Sequence, residues 1–184
     1  MPDSLFTVVT VSVPERADLL ARAIASVRQQ TYGPVPHLVR IEAPDRFGTQ
    51  HVTRQRNALL PAVQTQWIAV LDDDDYFMPT YLERMAEAIE SAPRPEMTAV
   101  AYSYCQGHPH AEGPFDAERL QRENYIDGEA CINMNRLATG YPVQADGKVE
   151  DWALYLAIHA LGGEFVCVPE RLRYHGRAMR NITG

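Results

Sequence analysis

The sequence predicts a Rossmann-like α/β fold with a central, mostly parallel sheet flanked by helices. Short apolar, β-branched runs alternate with segments whose apolar residues recur at helical spacing, which is typical of parallel strands joined by helices. The chain has 184 residues, of which 46% are hydrophobic and 22% charged, as in ordinary globular proteins. This length suffices for one well-packed core, so we expect a single domain over residues 1–184.

The first half of the chain predicts the element order β-α-β-α-β. Right-handed crossovers between such strands give a parallel sheet. The predicted elements are a strand from Phe6 to Val13 that ends at Pro14, a helix from about Arg16 to Gln30, a strand from His37 to Ile41, a helix from about Thr53 to Val63, and a strand from Trp67 to Leu71.

The second half of the chain has a less regular pattern. Its glycine and proline residues predict a long loop from Gln106 to Arg122 that ends in a short helix. The other predicted elements are a helix from Pro79 to Glu90, a strand from about Thr98 to Tyr104, a helix from about Asp151 to Leu161, and a last strand from Phe165 to Val168.

Four adjacent carboxylates, Asp72 to Asp75, directly follow the apolar run that ends at Leu71. Such groups raise one another's pKa unless a cation neutralises them, and oxygen ligands of this kind suit Mg²⁺ or Mn²⁺. A simpler alternative is a solvated turn in which Asp75 caps the next helix and Pro79 lies in its first turn. Open α/β sheets bind ligands at the carboxyl ends of their strands, so the pattern favours a metal or ligand site.

Composition excludes several classes of function. A net charge of −7 argues against a large nucleic-acid interface, and no apolar run approaches the roughly 20 residues of a membrane span. The N-terminus lacks the pattern of a signal peptide, and the three cysteines are widely spaced. We therefore expect a cytoplasmic protein with reduced thiols, no nucleic-acid partner and no transmembrane segment.

Several short motifs occur in order between about Val8 and His175. They are Val11-Ser12-Val13-Pro14, Ser26-Val27-Arg28-Gln29-Gln30-Thr31-Tyr32, Arg56-Asn57-Ala58, Leu71-Asp72-Asp73-Asp74-Asp75, Met78-Pro79 and Glu150-Asp151-Trp152. Together they resemble the GT-A fold family 2 glycosyltransferases. The resemblance implies a nucleotide-diphosphate sugar donor, Mn²⁺ or Mg²⁺, and inverting transfer to a hydroxyl of a sugar, lipid-linked sugar or protein. It also implies donor binding by about residues 1–104 and acceptor binding by about residues 105–184.

The same resemblance assigns the metal site. Asp74 matches the second, metal-binding aspartate of the family's DxD motif, and Asp72 or Asp73 is expected near the ribose or beside the metal. His175 corresponds to a late histidine near the metal, and a neutral imidazole can ligate Mn²⁺. A structural or exposed role for His175 remains the alternative.

The remaining assignments concern the base and the nucleotide. Asp151 resembles the family's catalytic base, although Glu150 and Asp151 could instead be favourable charges at a helix N-terminus. By the same resemblance, Pro14 lies under the nucleotide base, and Glu42 contacts the base or ribose. Arg56 faces the base or the phosphates, unless it is an exposed helix arginine.

Two other functions remain open from the sequence. One is a metal-dependent phosphatase or phosphotransferase of the haloacid dehalogenase type, whose acidic motif follows the first strand, whereas this one follows the third. The other is a non-catalytic nucleotide-sugar-binding module. Base selectivity cannot be carried over, because Glu15-Arg16 replaces the usual Thr-Tyr-Asn after the proline.

Overall fold

The computed structural model describes residues 4–43, 49–106, 112–137, 139–142 and 150–176. Its strands are β1 (Phe6–Ser12), β2 (His37–Ile41), β3 (Trp67–Val70), β4 (Tyr76–Phe77), β5 (Thr98–Gln106), β6 (Cys131–Asn133) and β7 (Glu164–Tyr174). Its α-helices are α1 (Ala17–Arg28), α2 (Thr49–Leu59), α3 (Tyr81–Glu90), α4 (Ala117–Arg122) and α5 (Glu150–Ala160). Short 3₁₀ turns cover Pro14–Arg16, Leu60–Ala62 and Met134–Arg136.

The strands form one sheet in the order β2-β1-β3-β6-β5-β7-β4. Strand β1 pairs in parallel with β2 and β3, and β5 pairs in parallel with β7. The short strands β6 and β4 pair antiparallel to their neighbours. All strands except β4 and β6 therefore run in one direction, which confirms the predicted α/β fold with a mostly parallel sheet.

Alternating side chains of the central strands pack on opposite faces of the sheet. Phe6 and Val8 belong to one core cluster, which also includes residues of α1 and α3. Val9 and Val70 belong to a second cluster, which includes residues of α5. Helices thus cover both faces, as expected for parallel strands whose apolar runs are nearly continuous.

Three predicted boundaries were wrong. Helix α2 begins at Thr49 and gives way after Leu59 to a 3₁₀ turn that contains Pro61, which cannot continue an α-helix. Helix α3 begins at Tyr81 with Thr80 as its N-cap, so Asp75 does not cap it. Strand β7 continues to Tyr174, well beyond the predicted end, because its later charged side chains find partners in the structure.

The two short antiparallel strands were not predicted. Tyr76–Phe77 pairs with the end of β7, and Cys131–Asn133 lies between β3 and β5. The predicted short helix is α4, with Asp116 accepting a hydrogen bond from the Arg119 amide at its start. Of the predicted loop, residues 107–111 lie outside the described residues.

Cys105, Cys131 and Cys167 are free thiols in the structure. Within the described ranges, no helix is both long and apolar enough to cross a membrane.

Candidate active site

The candidate site is a cavity of about 690 Å³ at the carboxyl ends of β1 and β3. The chain places β2 on one side of β1 and β3 on the other, and such a reversal of strand order leaves a crevice between the loops. The cavity brings together most of the predicted site residues with some that were not predicted. Its polar lining includes Ser12, Arg16, Arg56, Asp72, Asp73, Asp74, Asn124, Glu150, Asp151 and His175.

The acidic run forms a tight turn, with the Asp75 amide donating to the Asp72 carbonyl oxygen at 3.3 Å. Its side chains alternate in exposure. Asp73 and Asp75 are 4% and 1% exposed, whereas the side chains of Asp72 and Asp74 retain 41% and 14% exposure. The turn therefore leaves Asp72 and Asp74 as the more exposed carboxylates, with Asp73 buried in the cavity wall and Asp75 turned into the protein.

Two donors hold Asp73. Ser12 Oγ donates to Oδ2 at 2.6 Å, and Arg16 Nη1 donates to Oδ1 at 2.6 Å. Arg16 Nη1 also lies 3.6 Å from Asp74 Oδ2. Desolvation lowers the pKa of Arg16, but its carboxylate neighbours outweigh this and raise it overall.

Asp75 is held from the far end of the chain. His175 Nδ1 lies 2.9 Å from Asp75 Oδ2, and the Gly176 amide donates to Oδ1 at 2.6 Å. Desolvation raises the pKa of Asp75, but these hydrogen bonds lower it overall, and the same contact raises the pKa of His175. A Cβ on Gly176 would lie 1.9 Å from the Asp74 carbonyl oxygen, so this approach requires glycine. His175 thus lines the cavity while bound to a buried carboxylate.

Arg56 is buried, which contradicts its interpretation as an exposed helix arginine. Its Nη2 donates to Asp72 Oδ1 at 2.5 Å and its Nη1 donates to Glu150 Oε1 at 3.0 Å. Its guanidinium also lies 5.7 Å from the centre of the Tyr141 ring. Although burial lowers the pKa of Arg56, Asp72 and the other nearby acids raise it, so the side chain is a fixed cation that links α2, β3 and α5.

Asp151 lies in the first turn of α5 and is 8% exposed. Asn124 Nδ2 donates to its Oδ2 at 3.2 Å, and the Trp152 amide donates to Oδ1 at 2.7 Å. Desolvation raises its pKa to about 6, against the opposing charge of Arg56. Such a carboxylate is a stronger base than an ordinary aspartate and is still ionised near neutral pH.

A buried ion pair between Arg173 and Glu129 lies against the backbone of the acidic run. The sequence did not predict it. Arg173 is fully buried, and its Nη1 donates to Glu129 Oε2 at 2.9 Å and lies 3.3 Å from Asp127 Oδ2. Glu129 in turn accepts the Asp72 amide at 3.1 Å. The partners are 44 and 46 residues apart in the sequence, so no local pattern reveals them.

Two predicted nucleotide-binding residues lie outside the cavity lining. The Glu42 amide donates to the Ser12 carbonyl oxygen at 3.1 Å, which places Glu42 beside the end of β1. Its carboxylate accepts from Arg40 and, at 2.5 Å, from Gln55 Nε2. Pro14 begins the 3₁₀ turn that carries Arg16 into the cavity. In the structure, the Glu42 carboxylate is thus bound by neighbouring side chains, and Pro14 forms part of the turn that positions Arg16.

The donor set fits a hard divalent ion held in part by substrate. Among the described residues, no three His, Cys, Asp or Glu side chains converge as a complete metal site. Mg²⁺ commonly takes one or two carboxylates and completes its shell with phosphate oxygens and water. The side chain of Asp74 reaches the cavity, and Arg16 is a cationic neighbour of its carboxylate, with Nη1 lying 3.6 Å from Oδ2.

Comparison with known proteins identifies this architecture. Residues 46–132, which include the acidic run and β3, match the family model described as "Glycosyl transferase family 2". The matched region is similar to glycosyltransferase family 2. This confirms the resemblance seen in the sequence motifs. No curated protein sequence is significantly similar to the chain.

Solved structures show the same GT-A fold. TarS from S. aureus (residues 1–349) superposes with a TM-score of 0.70 at 13% identity, covering 97% of this chain and 64% of that one. The mannosyltransferase PcManGT from Pyrobaculum calidifontis, solved with GDP-Man and Mn²⁺, gives 0.65 at 13% identity, covering 94% and 56%. Glucosyl-3-phosphoglycerate synthase from Mycobacterium tuberculosis, solved with Mn²⁺ and UDP-glucose, gives 0.64 at 17% identity, covering 92% and 70%. The chain therefore spans less than two thirds of the first two structures.

Proposed function

We propose that this family 2 GT-A domain transfers a sugar from a nucleotide-diphosphate sugar to an acceptor hydroxyl, with inversion and with Mn²⁺ or Mg²⁺. The observation that carries the proposal is the single cavity lined by both the acidic run and Asp151. The acidic run supplies carboxylates that suit a cation, and Asp151 supplies a carboxylate whose pKa is raised to about 6. Inverting transfer needs these two functions on opposite sides of one sugar.

Asp74, with Asp72 or Asp73 beside it, is the proposed holder of the divalent ion. When bound, such an ion stabilises the negative charge that develops on the leaving diphosphate. GT-A structures with Mn²⁺ and a nucleotide sugar support this assignment, since PcManGT was solved with GDP-Man and the M. tuberculosis synthase with UDP-glucose. His175 is proposed to orient the run through Asp75, and direct ligation remains a prediction.

Arg56 and Glu42 are proposed to serve the nucleotide. Arg56 is a buried cation at the cavity wall, so it can face a phosphate without a cost for desolvating a new charge. Glu42 lies beside Ser12, one strand further from the cavity, where a base or ribose would extend. Pro14 keeps its proposed place under the base. Donor binding then falls mainly on residues 1–104 and acceptor binding on residues 105–184.

Asp151 is the proposed general base. Its oxygens accept from Asn124 and from the Trp152 amide, so the carboxylate is oriented before any substrate arrives. In the step, the acceptor oxygen bonds to the anomeric carbon while its proton passes to Asp151. The bond from that carbon to the diphosphate breaks, and its electron pair leaves with the nucleoside diphosphate.

A binding and turnover screen tests the proposal. UDP-glucose, UDP-GlcNAc and GDP-mannose are each titrated calorimetrically with and without Mn²⁺, and donor hydrolysis is followed in the same solutions. We expect Mn²⁺-dependent binding of at least one donor and slow release of nucleoside diphosphate, since water can replace the acceptor. Binding without any release would favour the non-catalytic module, and hydrolysis of a simple phosphomonoester would favour a phosphatase.

A further inference from the structure

Arg16 occupies an unusual position between two carboxylates of the acidic run. It follows β1 at the end of the 3₁₀ turn Pro14–Arg16, and its side chain is 35% exposed at the cavity. One nitrogen, Nη1, makes both carboxylate contacts, at 2.6 Å to Asp73 and 3.6 Å to Asp74.

The two contacts differ in kind. Asp73 is buried and is also held by Ser12, so the short contact with Arg16 lies within a fixed pair. The 3.6 Å separation from Asp74 exceeds a hydrogen bond and is an electrostatic contact. A metal ion can therefore replace Arg16 beside Asp74 while the hydrogen bond between Arg16 and Asp73 stays in place.

The guanidinium also has unused donors. An arginine carries five N–H groups in a planar fork that matches phosphate oxygens. Within the described part of the chain, the guanidinium contacts of Arg16 are those to Asp73 and Asp74, both through Nη1. Its Nε and Nη2 groups therefore remain available at the cavity.

We propose that Arg16 is the counterion of Asp74 in the unliganded protein and becomes a ligand of the donor's diphosphate once a divalent ion binds. The inference rests on the proposed function, because Asp74 is its metal carboxylate. A divalent ion at Asp74 repels the nearby guanidinium, and a diphosphate bridging both cations removes that repulsion. Arg16 thus weakens binding of the bare ion and strengthens binding of the ion together with a nucleoside diphosphate.

The test uses Arg16→Gln and Arg16→Ala, with Arg16→Lys retaining the charge without the fork. Arg122→Ala is the matched control, because it removes an exposed arginine on α4 that pairs with Glu118 at 3.9 Å. Calorimetry measures the Kd of MnCl₂ alone, then the Kd of UDP and of GDP at saturating Mn²⁺. Circular dichroism melting confirms that each variant is folded.

We expect Mn²⁺ alone to bind Arg16→Gln about tenfold more tightly than wild type, and the nucleoside diphosphate to bind about tenfold more weakly, the size of one charge-assisted contact. Arg16→Lys should keep the weak ion binding and lose part of the nucleotide affinity. Loss of both affinities would indicate a structural role and overturn the proposal, as would no change in either.

Failure of the proposed function gives a different result. If wild-type protein binds neither UDP nor GDP with Mn²⁺, the donor assignment is wrong, whereas the Mn²⁺ titration alone still decides whether Arg16 competes with the ion. A second outcome is that wild type binds a nucleotide while Arg16→Gln changes the affinity for Mn²⁺ and the affinity for the nucleoside diphosphate in the same direction. In that case the donor assignment stands, and the proposed switch of Arg16 from Asp74 to the diphosphate is excluded. Arg122→Ala must leave both constants unchanged for either conclusion.

Discussion

The acidic run contains two kinds of carboxylate although its four residues are chemically identical. Asp72 and Asp74 are the more exposed pair, whereas Asp73 and Asp75 are buried and each is bound by two donors from the protein. The difference follows the turn, along which the exposure of successive side chains alternates. Asp73 and Asp75 thus hold the turn in place and Asp72 pairs with Arg56. Among the described residues, the Asp74 carboxylate has only the 3.6 Å contact with Arg16.

Asp151 differs from both kinds, because it is buried and is also proposed to react. Its replacement should have the largest effect on sugar transfer. Asp151→Asn keeps the size and removes the base, so transfer should fall by about 10²-fold or more while donor affinity persists. Steady-state transfer and calorimetric donor binding separate the two. Near-normal transfer in the variant would move the base to Glu150 or another carboxylate.

Asp74→Asn should have the next largest effect and leave the fold intact. Removing one of several mutually repelling carboxylates does not expose the core, so the melting temperature should stay within a few degrees of wild type. The Mn²⁺-dependent part of UDP affinity should be lost. Asp18→Asn, on the exposed side of α1, is the matched control. Unchanged metal-dependent affinity would show that Asp74 is not a ligand.

Asp75→Asn should lower the stability of the protein, whereas Asp74→Asn should lower its metal-dependent nucleotide affinity. The Asp75 carboxylate accepts from the Gly176 amide and lies against His175, so the variant should lower the free energy of unfolding by about 1–3 kcal/mol. Denaturant titration measures this loss, again with Asp18→Asn for comparison. Full stability combined with lost nucleotide binding would mean that the buried and open carboxylates are not divided as described.

The smallest effect is the pH dependence of transfer. Because desolvation raises the pKa of Asp151 to about 6, the proposed base ionises as pH rises, and the rate should increase about fourfold from pH 5.5 to 7.5. The same raised pKa of Asp151 makes the folded protein less stable as pH rises. The folded state keeps this proton longer than the unfolded chain, so ionisation lowers stability between about pH 4 and 6, and Asp151→Asn should be at least as stable as wild type at pH 7.5. A transfer rate that does not change between pH 5.5 and 7.5 would argue against Asp151 as the base.

Sequence patterns predicted the first half of the sheet because each strand there carries its own signal. The apolar runs of β1, β2 and β3 end within one residue of their predicted ends, and the acidic run lies at the rim as expected. Strand β4 has two residues, too few for any periodicity. The predicted last strand ends at Val168, before Pro169, whereas β7 continues to Tyr174 and carries the buried Arg173 beside Glu129.

The site was predicted where a residue type alone indicates its chemistry. Asp72, Asp74 and Asp151 line one cavity, and their roles there stay predictions. Asn124 was missed because an amide in a connecting segment gives no local signal that it will orient Asp151. The predicted loop from Gln106 to Arg122 can be compared only in part, since residues 107–111 lie outside the described ranges.

The contacts of Asp75 also constrain the order in which this chain can fold. Its partners, His175 and Gly176, lie 100 and 101 residues further along the sequence. The entropy lost on closing so long a loop must be offset by other contacts, so this pairing is expected late in folding, after the local βαβ units have formed. Until β7 docks, the acidic turn lacks this pair of donors. Ligand binding at the turn would therefore report on completion of the whole sheet, and nucleotide added during refolding should act on the final step.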